Sequence, residues 1–219
     1  MPFTLDPQVA QTLVPFAAAM ADSTPPPVGD VAARRIAFEG RIGQANTAQP
    51  FPDDVTITDH ELATADGATI RLRWYARKDA ADGPGPAALY LHAGGMILGH
   101  IGLFDGSVSR YVSASGTSML SVDYRLAPEH PHPTPDTPAS AAPARVADPA
   151  GLPPAYIEVG QLDIFRDEDL AYALRLSQAG VPVEFHLHPG VPHRFETVAF
   201  TSDVAQRVIA DRVRALASL

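Results

Sequence analysis

The chain has no cysteine. That removes a disulfide framework, a thiolate nucleophile and a zinc knuckle, and it leaves reducing and oxidising compartments equally tolerable. Basic residues are scarce: 16 Lys+Arg stand against 25 Asp+Glu, a formal net charge of -9. Nucleic acids and anionic membrane surfaces both need a basic footprint, so neither is an expected partner. No basic residue precedes Arg34, so the charged start of a signal peptide is not seen. No apolar run approaches the roughly 20 residues of a membrane span. A cytoplasmic location is the default expectation.

What is present suits a folded α/β protein. With 219 residues, of which 46% are hydrophobic, one domain with a small appended segment is the simplest expectation. Residues 7–21 and 29–46 read as helices, with Asp6 capping the first ahead of Pro7 and Asp30 starting the second. Val9, Leu13, Phe16 and Met20 recur at helical spacing and make one face. These two helices are either a solvated hairpin on a core or a lid over a pocket. Residues 55–63 and 68–77 alternate around Asp66-Gly67, a hairpin signal. An apolar strand over 87–92 reads as buried on both faces. A helix over 104–115, a strand over 117–124, a strand over 155–160, a helix over 167–179, a strand over 182–188 and a helix over 202–217 complete the rhythm. Alternating strands and helices predict a mostly parallel sheet.

The rhythm fails over 127–154, which holds nine prolines. No helix or central strand tolerates that density, so an extended connector is expected there.

Three places could carry chemistry. Gly94 and Gly95 follow strand 87–92 directly, where bare backbone N–H groups can face a ligand oxygen as an oxyanion hole. Asp163 lies just past strand 155–160, at the strand end where ligands gather in open α/β sheets. It could instead cap the next helix, although Asp167 is better spaced for that. His193 follows the last strand in a loop stiffened by Pro192 and reads as a general base or as a surface histidine. An Asp and then a His after successive strands is an acid-then-base order. His186 and His188 share a strand face without an evident third metal ligand and read as surface groups. His130 and His132 read as solvated, and Trp74 as packing. No metal or other cofactor is expected.

These motifs resemble the hormone-sensitive-lipase group (family IV) of carboxylesterases. His92-Ala93-Gly94-Gly95-Met96 is similar to that group's H-G-G-G turn. Tyr124-Arg125-Leu126-Ala127-Pro128-Glu129-His130-Pro131 is similar to its Y-R-L-A-P-E run. The segments around Asp163-Ile164-Phe165-Arg166-Asp167-Glu168 and Pro189-Gly190-Val191-Pro192-His193-Arg194-Phe195 resemble its acid and base motifs, with Arg194 where a small residue is usual. The resemblance implies a reduced α/β-hydrolase fold: a mostly parallel sheet of about six strands with an N-terminal helical cap. It implies a cap over 1–50 and a core over 51–219, with Asp163 and His193 catalytic and Gly94 and Gly95 as the oxyanion hole.

One element of that pattern is missing. The group's G-D-S-A-G-G nucleophile elbow has no counterpart, and none of the eleven serines sits in a G-x-S-x-G segment. Ser118 opens a strand, and Ser140, within the proline connector, is the remaining low-probability nucleophile. The resemblance implies an internal deletion of roughly 80–100 residues at about 30 per strand–helix–strand unit. Two functions follow: impaired hydrolysis of short acyl esters, with a small-molecule ester as partner, or an inactive remnant that binds ligands or partners. Strand 87–92 is expected to pair directly with strand 155–160 and heal one sheet. Otherwise their exposed edges recruit a second copy as a homodimer.

Overall fold

Local chemistry sets the helix starts. In the computed structural model, which describes residues 3–21, 24–81, 83–131 and 146–219, the Asp6 carboxylate accepts from Gln8 N at 3.0 Å and Val9 N at 3.1 Å. This caps α1 (Pro7–Ala21), with Pro7 where its missing N–H has no partner to lose. Asp30 accepts from Ala33 N at 2.9 Å and caps α2 (Val31–Thr47). The hairpin β1 (Val55–Ala63) and β2 (Thr69–Arg77) turns through Gly67, whose φ of 82° suits glycine.

β3 (Ala87–Leu91) leads through a 3-10 turn, Ile101–Phe104, into α3 (Asp105–Ser115). Gly116 ends α3 in the left-handed conformation, and β4 (Ser118–Val122) follows. No helix or strand occurs among the described residues of 127–154. Beyond them lie β5 (Ala155–Gly160), α4 (Arg166–Gln178), β6 (Val183–His188), α5 (Phe195–Val198) and α6 (Asp203–Ala217). The short α5 was not expected from spacing.

Among the described residues six strands form two sheets, not one. A mixed four-stranded sheet runs β1-β2-β4-β3, and β5-β6 form a parallel pair. β3 pairs with β4, and the expected pairing of strand 87–92 with strand 155–160 is not among the ladders of the described residues. The apolar run of β3 predicts burial on both faces. The strand closes the four-stranded order instead, and Leu89 and Leu91 are 64% and 62% exposed. An apolar run reports what a strand is built to bury, not whether its cover is present.

Contacts divide the chain into two compact units. The first takes described residues 3–21 and 146–208, so it holds α1 but not α2. Its core joins Val9 of α1 to Val191, Phe195, Ala199, Val204, Ala205 and Val208. Gln8 donates to Asp203 Oδ2 at 3.0 Å and accepts from Asp203 N at 2.7 Å, so α1 satisfies the first turn of α6.

The second unit takes described residues 24–131 and 209–219. Its core is Tyr75, Phe104, Val108, Val112 and Met119, with Phe38 of α2 and Leu216 of α6 packed on it. The fully buried Tyr75 hydroxyl donates to Asp105 Oδ1 at 2.5 Å. Burial, then that carboxylate, pushes the Tyr75 phenol well above its ordinary range. Arg73 donates to Asp105 at 2.7 Å and bidentately to Asp59 at 2.6 and 2.7 Å, so the half-buried Asp105 carboxylate is paired.

Two glycines give opposite stability predictions. A Cβ on Gly160 would lie 2.3 Å from Val191 O, whereas one on Gly40, inside α2, meets nothing within 4 Å. Gly160→Ala should cost about 1–3 kcal/mol or more through overpacking. Gly40→Ala should gain about 0.5–1 kcal/mol through helix propensity. Urea unfolding of both variants reads the two signs.

Candidate active site

The acid and base candidates meet because parallel pairing continues past the ends of β5 and β6. The register runs from Ala155 opposite Val183 to Gly160 opposite His188. Beyond it, Gln161 N donates to His188 O at 2.9 Å and Leu162 N to Val191 O at 3.0 Å. The Gln161 side chain accepts from Gly190 N at 3.1 Å. Gly190, at φ 69°, sits so close to Thr4 O that a Cβ would approach it to 2.8 Å. The loop bearing His193 is thereby drawn across the end of β5.

His193 Nδ1 lies 2.8 Å from Asp163 Oδ2. The other carboxylate oxygen accepts from Phe165 N at 3.0 Å, so both oxygens of Asp163 are engaged. The Asp163 side chain is 8% exposed and the His193 side chain 55%. A carboxylate only accepts, so Nδ1 carries the proton in the neutral ring and Nε2 keeps its lone pair. An imidazole held this way can take a proton from a hydroxyl or a water. The Phe165 ring stands edge-on to His193 at 5.7 Å. Arg194 adopts a left-handed φ of 51° at the start of α5, a conformation that favours glycine, at the position where the resemblance has a small residue.

Asp167 does not cap the helix, contrary to the expectation from spacing. Asp167 is an exposed partner of Arg166 at 2.7 Å, and α4 has no side-chain cap at its Phe165 N-cap. Asp163 itself binds the Phe165 amide ahead of that helix while also holding His193. Asp169, one turn into α4, has its carboxyl pushed up by burial and then by the neighbouring Asp163 charge.

The glycine turn belongs to the second unit. Gly94, Gly95 and Met96 have φ of 145°, 59° and 64°. A Cβ on Gly94 would fall 1.9 Å from Leu98 O, so only glycine fits there. Gly94 O accepts from Ile97 N at 3.2 Å and Leu98 N at 3.0 Å. Among the described residues the Gly94 and Gly95 amides donate no hydrogen bond. Two free amides on a constrained turn can bind an oxyanion.

His92 is 3% exposed and stacks on Tyr124 at 4.2 Å and on Phe104 at 5.6 Å. Burial lowers its pKa, which keeps the ring neutral. The Tyr124 hydroxyl donates to His92 O at 2.6 Å.

Arg35, which sequence reasoning passed over, holds the far side of this turn. Its Nε donates to Ile97 O at 2.8 Å and its Nη2 to Ala127 O at 2.9 Å. Both Nη atoms also reach the Glu129 carboxylate at 2.8 Å. The Arg35 hydrogen bond pulls the Glu129 carboxyl down to about 2. Arg125 pairs with Asp66 at 2.7 Å and ties the same motif to the hairpin turn.

Other candidates separate from these groups. Ser140 and His132 lie outside the described residues. Among the described residues no hydroxyl is hydrogen-bonded to His193. Ser118 begins β4, and Ser109 and Ser121 are fully buried. His186 and His188 are only 26% and 14% exposed in their side chains, against the surface position expected for them. His186 contacts Glu184 at 2.7 Å. Among the described residues no group of three or more His, Asp or Glu is placed to hold a metal ion, and no helix is long and apolar enough to cross a membrane.

The Arg35–Glu129 pair predicts a pH dependence. Its carboxyl is depressed on folding, so its stabilisation is present above the unfolded pKa and is lost as pH falls towards about 2. The stability gap between the wild type and Glu129→Gln should be constant above about pH 5 and close progressively below about pH 4. Urea midpoints measured across that range check the sign.

Known proteins share stretches of this chain. The alpha/beta hydrolase fold family matches residues 88–137 and 134–197. Esterase LipI of Mycobacterium tuberculosis is 41% identical over 102 residues, 46% of this chain and 31% of that protein. The versiconal hemiacetal acetate esterase stcI of Emericella nidulans is 46% identical over 88 residues, 40% of this chain and 29% of that protein. The chain thus spans about a third of the length of these curated relatives. A solved bacterial heroin esterase superposes with a TM-score of 0.83 at 23% identity, covering 98% of both chains, a likeness of fold. With the family match extending over half the chain, the acid, base and glycine-turn motifs all lying within it, this chain belongs to the alpha/beta hydrolase fold family, in its hormone-sensitive-lipase-type branch.

Proposed function

We propose that this chain is a carboxylic ester hydrolase that acts weakly on short acyl esters, because its scaffold has lost the nucleophile segment. The 2.8 Å contact between His193 and Asp163 carries the reading. The family match supports the loss: it breaks into two stretches that overlap at 134–137, with no G-x-S-x-G on either side.

Without a serine elbow, water is the nucleophile. His193 Nε2 takes one water proton as the oxygen attacks the acyl carbon, while Asp163 holds the imidazole and steadies the imidazolium. The family resemblance assigns the Gly94 and Gly95 amides as the donors to the oxyanion of the tetrahedral intermediate. Its collapse breaks the bond to the alkoxy oxygen, and the imidazolium returns the proton to the leaving alcohol. Triad enzymes stripped of a member keep about 10³–10⁴ over the uncatalysed rate, which sets the ceiling here.

The missing elbow also favours a second reading: an inactive family remnant that binds small acyl or aromatic ligands, or a second copy of itself. One pair of measurements separates the two. Hydrolysis of p-nitrophenyl acetate should be slow and lost in His193→Ala, and a fluorophosphonate should leave the intact mass unchanged. Turnover unaffected by His193→Ala defeats the hydrolytic reading. A single fluorophosphonate adduct defeats the water mechanism, and peptide mapping would say whether Ser140 is the nucleophile.

A further inference from the structure

We propose that Arg35 is the positioning residue of the Gly94–Gly95 turn, and that α2 serves as its strut rather than as a lid. This rests on the hydrolytic reading, in which those two amides are the oxyanion donors.

α2 buries none of its residues. Its attachment is chiefly polar: Asn46 donates to Leu103 O at 2.8 Å, and Arg35 makes the four bonds to Ile97, Ala127 and Glu129. Phe38 adds one apolar contact with the core. The Arg35 guanidinium therefore joins three points: the end of the glycine turn, the Ala127 carbonyl and the Glu129 carboxylate. Ala127 N donates to Met96 O at 2.9 Å and closes the ring from the other side. Two adjacent glycines have many backbone conformations open to them. Oxyanion donors act only when they are already aimed, so whatever fixes this turn sets their value. A planar fork with a donor at each corner can reach all three acceptors together, and a lysine ammonium on its flexible stem cannot.

The test combines amide exchange, read by NMR, with steady-state kinetics. Ile97, Leu98 and Ala127 are the protected amides that frame the turn. Met119 and Leu120 in β4 report the sheet behind it. In Arg35→Ala and Arg35→Lys the three framing amides should exchange at least about tenfold faster while β4 is unchanged. In parallel, kcat for p-nitrophenyl acetate should fall about tenfold or more with KM within about twofold. Glu129→Gln keeps the two carbonyl bonds and should fall between.

Framing amides at wild-type rates in Arg35→Lys, or rates that rise only in step with β4, overturn the proposal. If Arg35→Ala does not fold, Arg35→Lys and Glu129→Gln decide it. A wild-type chain with no turnover defeats the hydrolytic reading, and the exchange rates still decide what Arg35 does.

Discussion

Parallel pairing between β5 and β6 is the constraint on which the acid–base pair depends. Neither Asp163 nor His193 lies in a strand. Both are carried past the strand ends by hydrogen bonds that prolong the ladder through Gln161, Leu162 and Gly190. Gly160 is the pivot, because the Val191 carbonyl occupies the space a side chain would need. The 2.8 Å contact is thus set by backbone geometry before any side-chain preference enters.

The second unit relies on a different balance. Its core is apolar, but the segments around the glycine turn are held mainly by charge-assisted hydrogen bonds. Arg35, Arg73 and Arg125 each join pieces of chain far apart in sequence. Such bonds are directional and fix a loop where the chain has no apolar surface to bury. α2 depends on them most.

Much of this was legible in residues. Asp6, Asp30 and Gly67 place their elements because caps and turns are decided within a few residues. The acid-then-base order pointed to Asp163 and His193, whose rings and oxygens the fold brings together. The division into two sheets was not legible, because pairing is non-local and the apolar composition of 87–91 is the same whether or not a neighbour covers it. α5 escaped notice as a single turn started by a left-handed Arg194. Asp167 was misassigned since spacing alone cannot tell a cap from an exposed ion pair. Arg35 left no local signal: its acceptors are two backbone carbonyls and one carboxylate, gathered only by folding.

The rim of the four-stranded sheet carries a further consequence. Residues 87–91 contain neither a charged side chain nor a proline, the usual guards of an exposed strand. Leu89 and Leu91 lie exposed on one face of it. An apolar strand left without such guards favours pairing between chains, and pairing of that kind depends on how crowded the solution is.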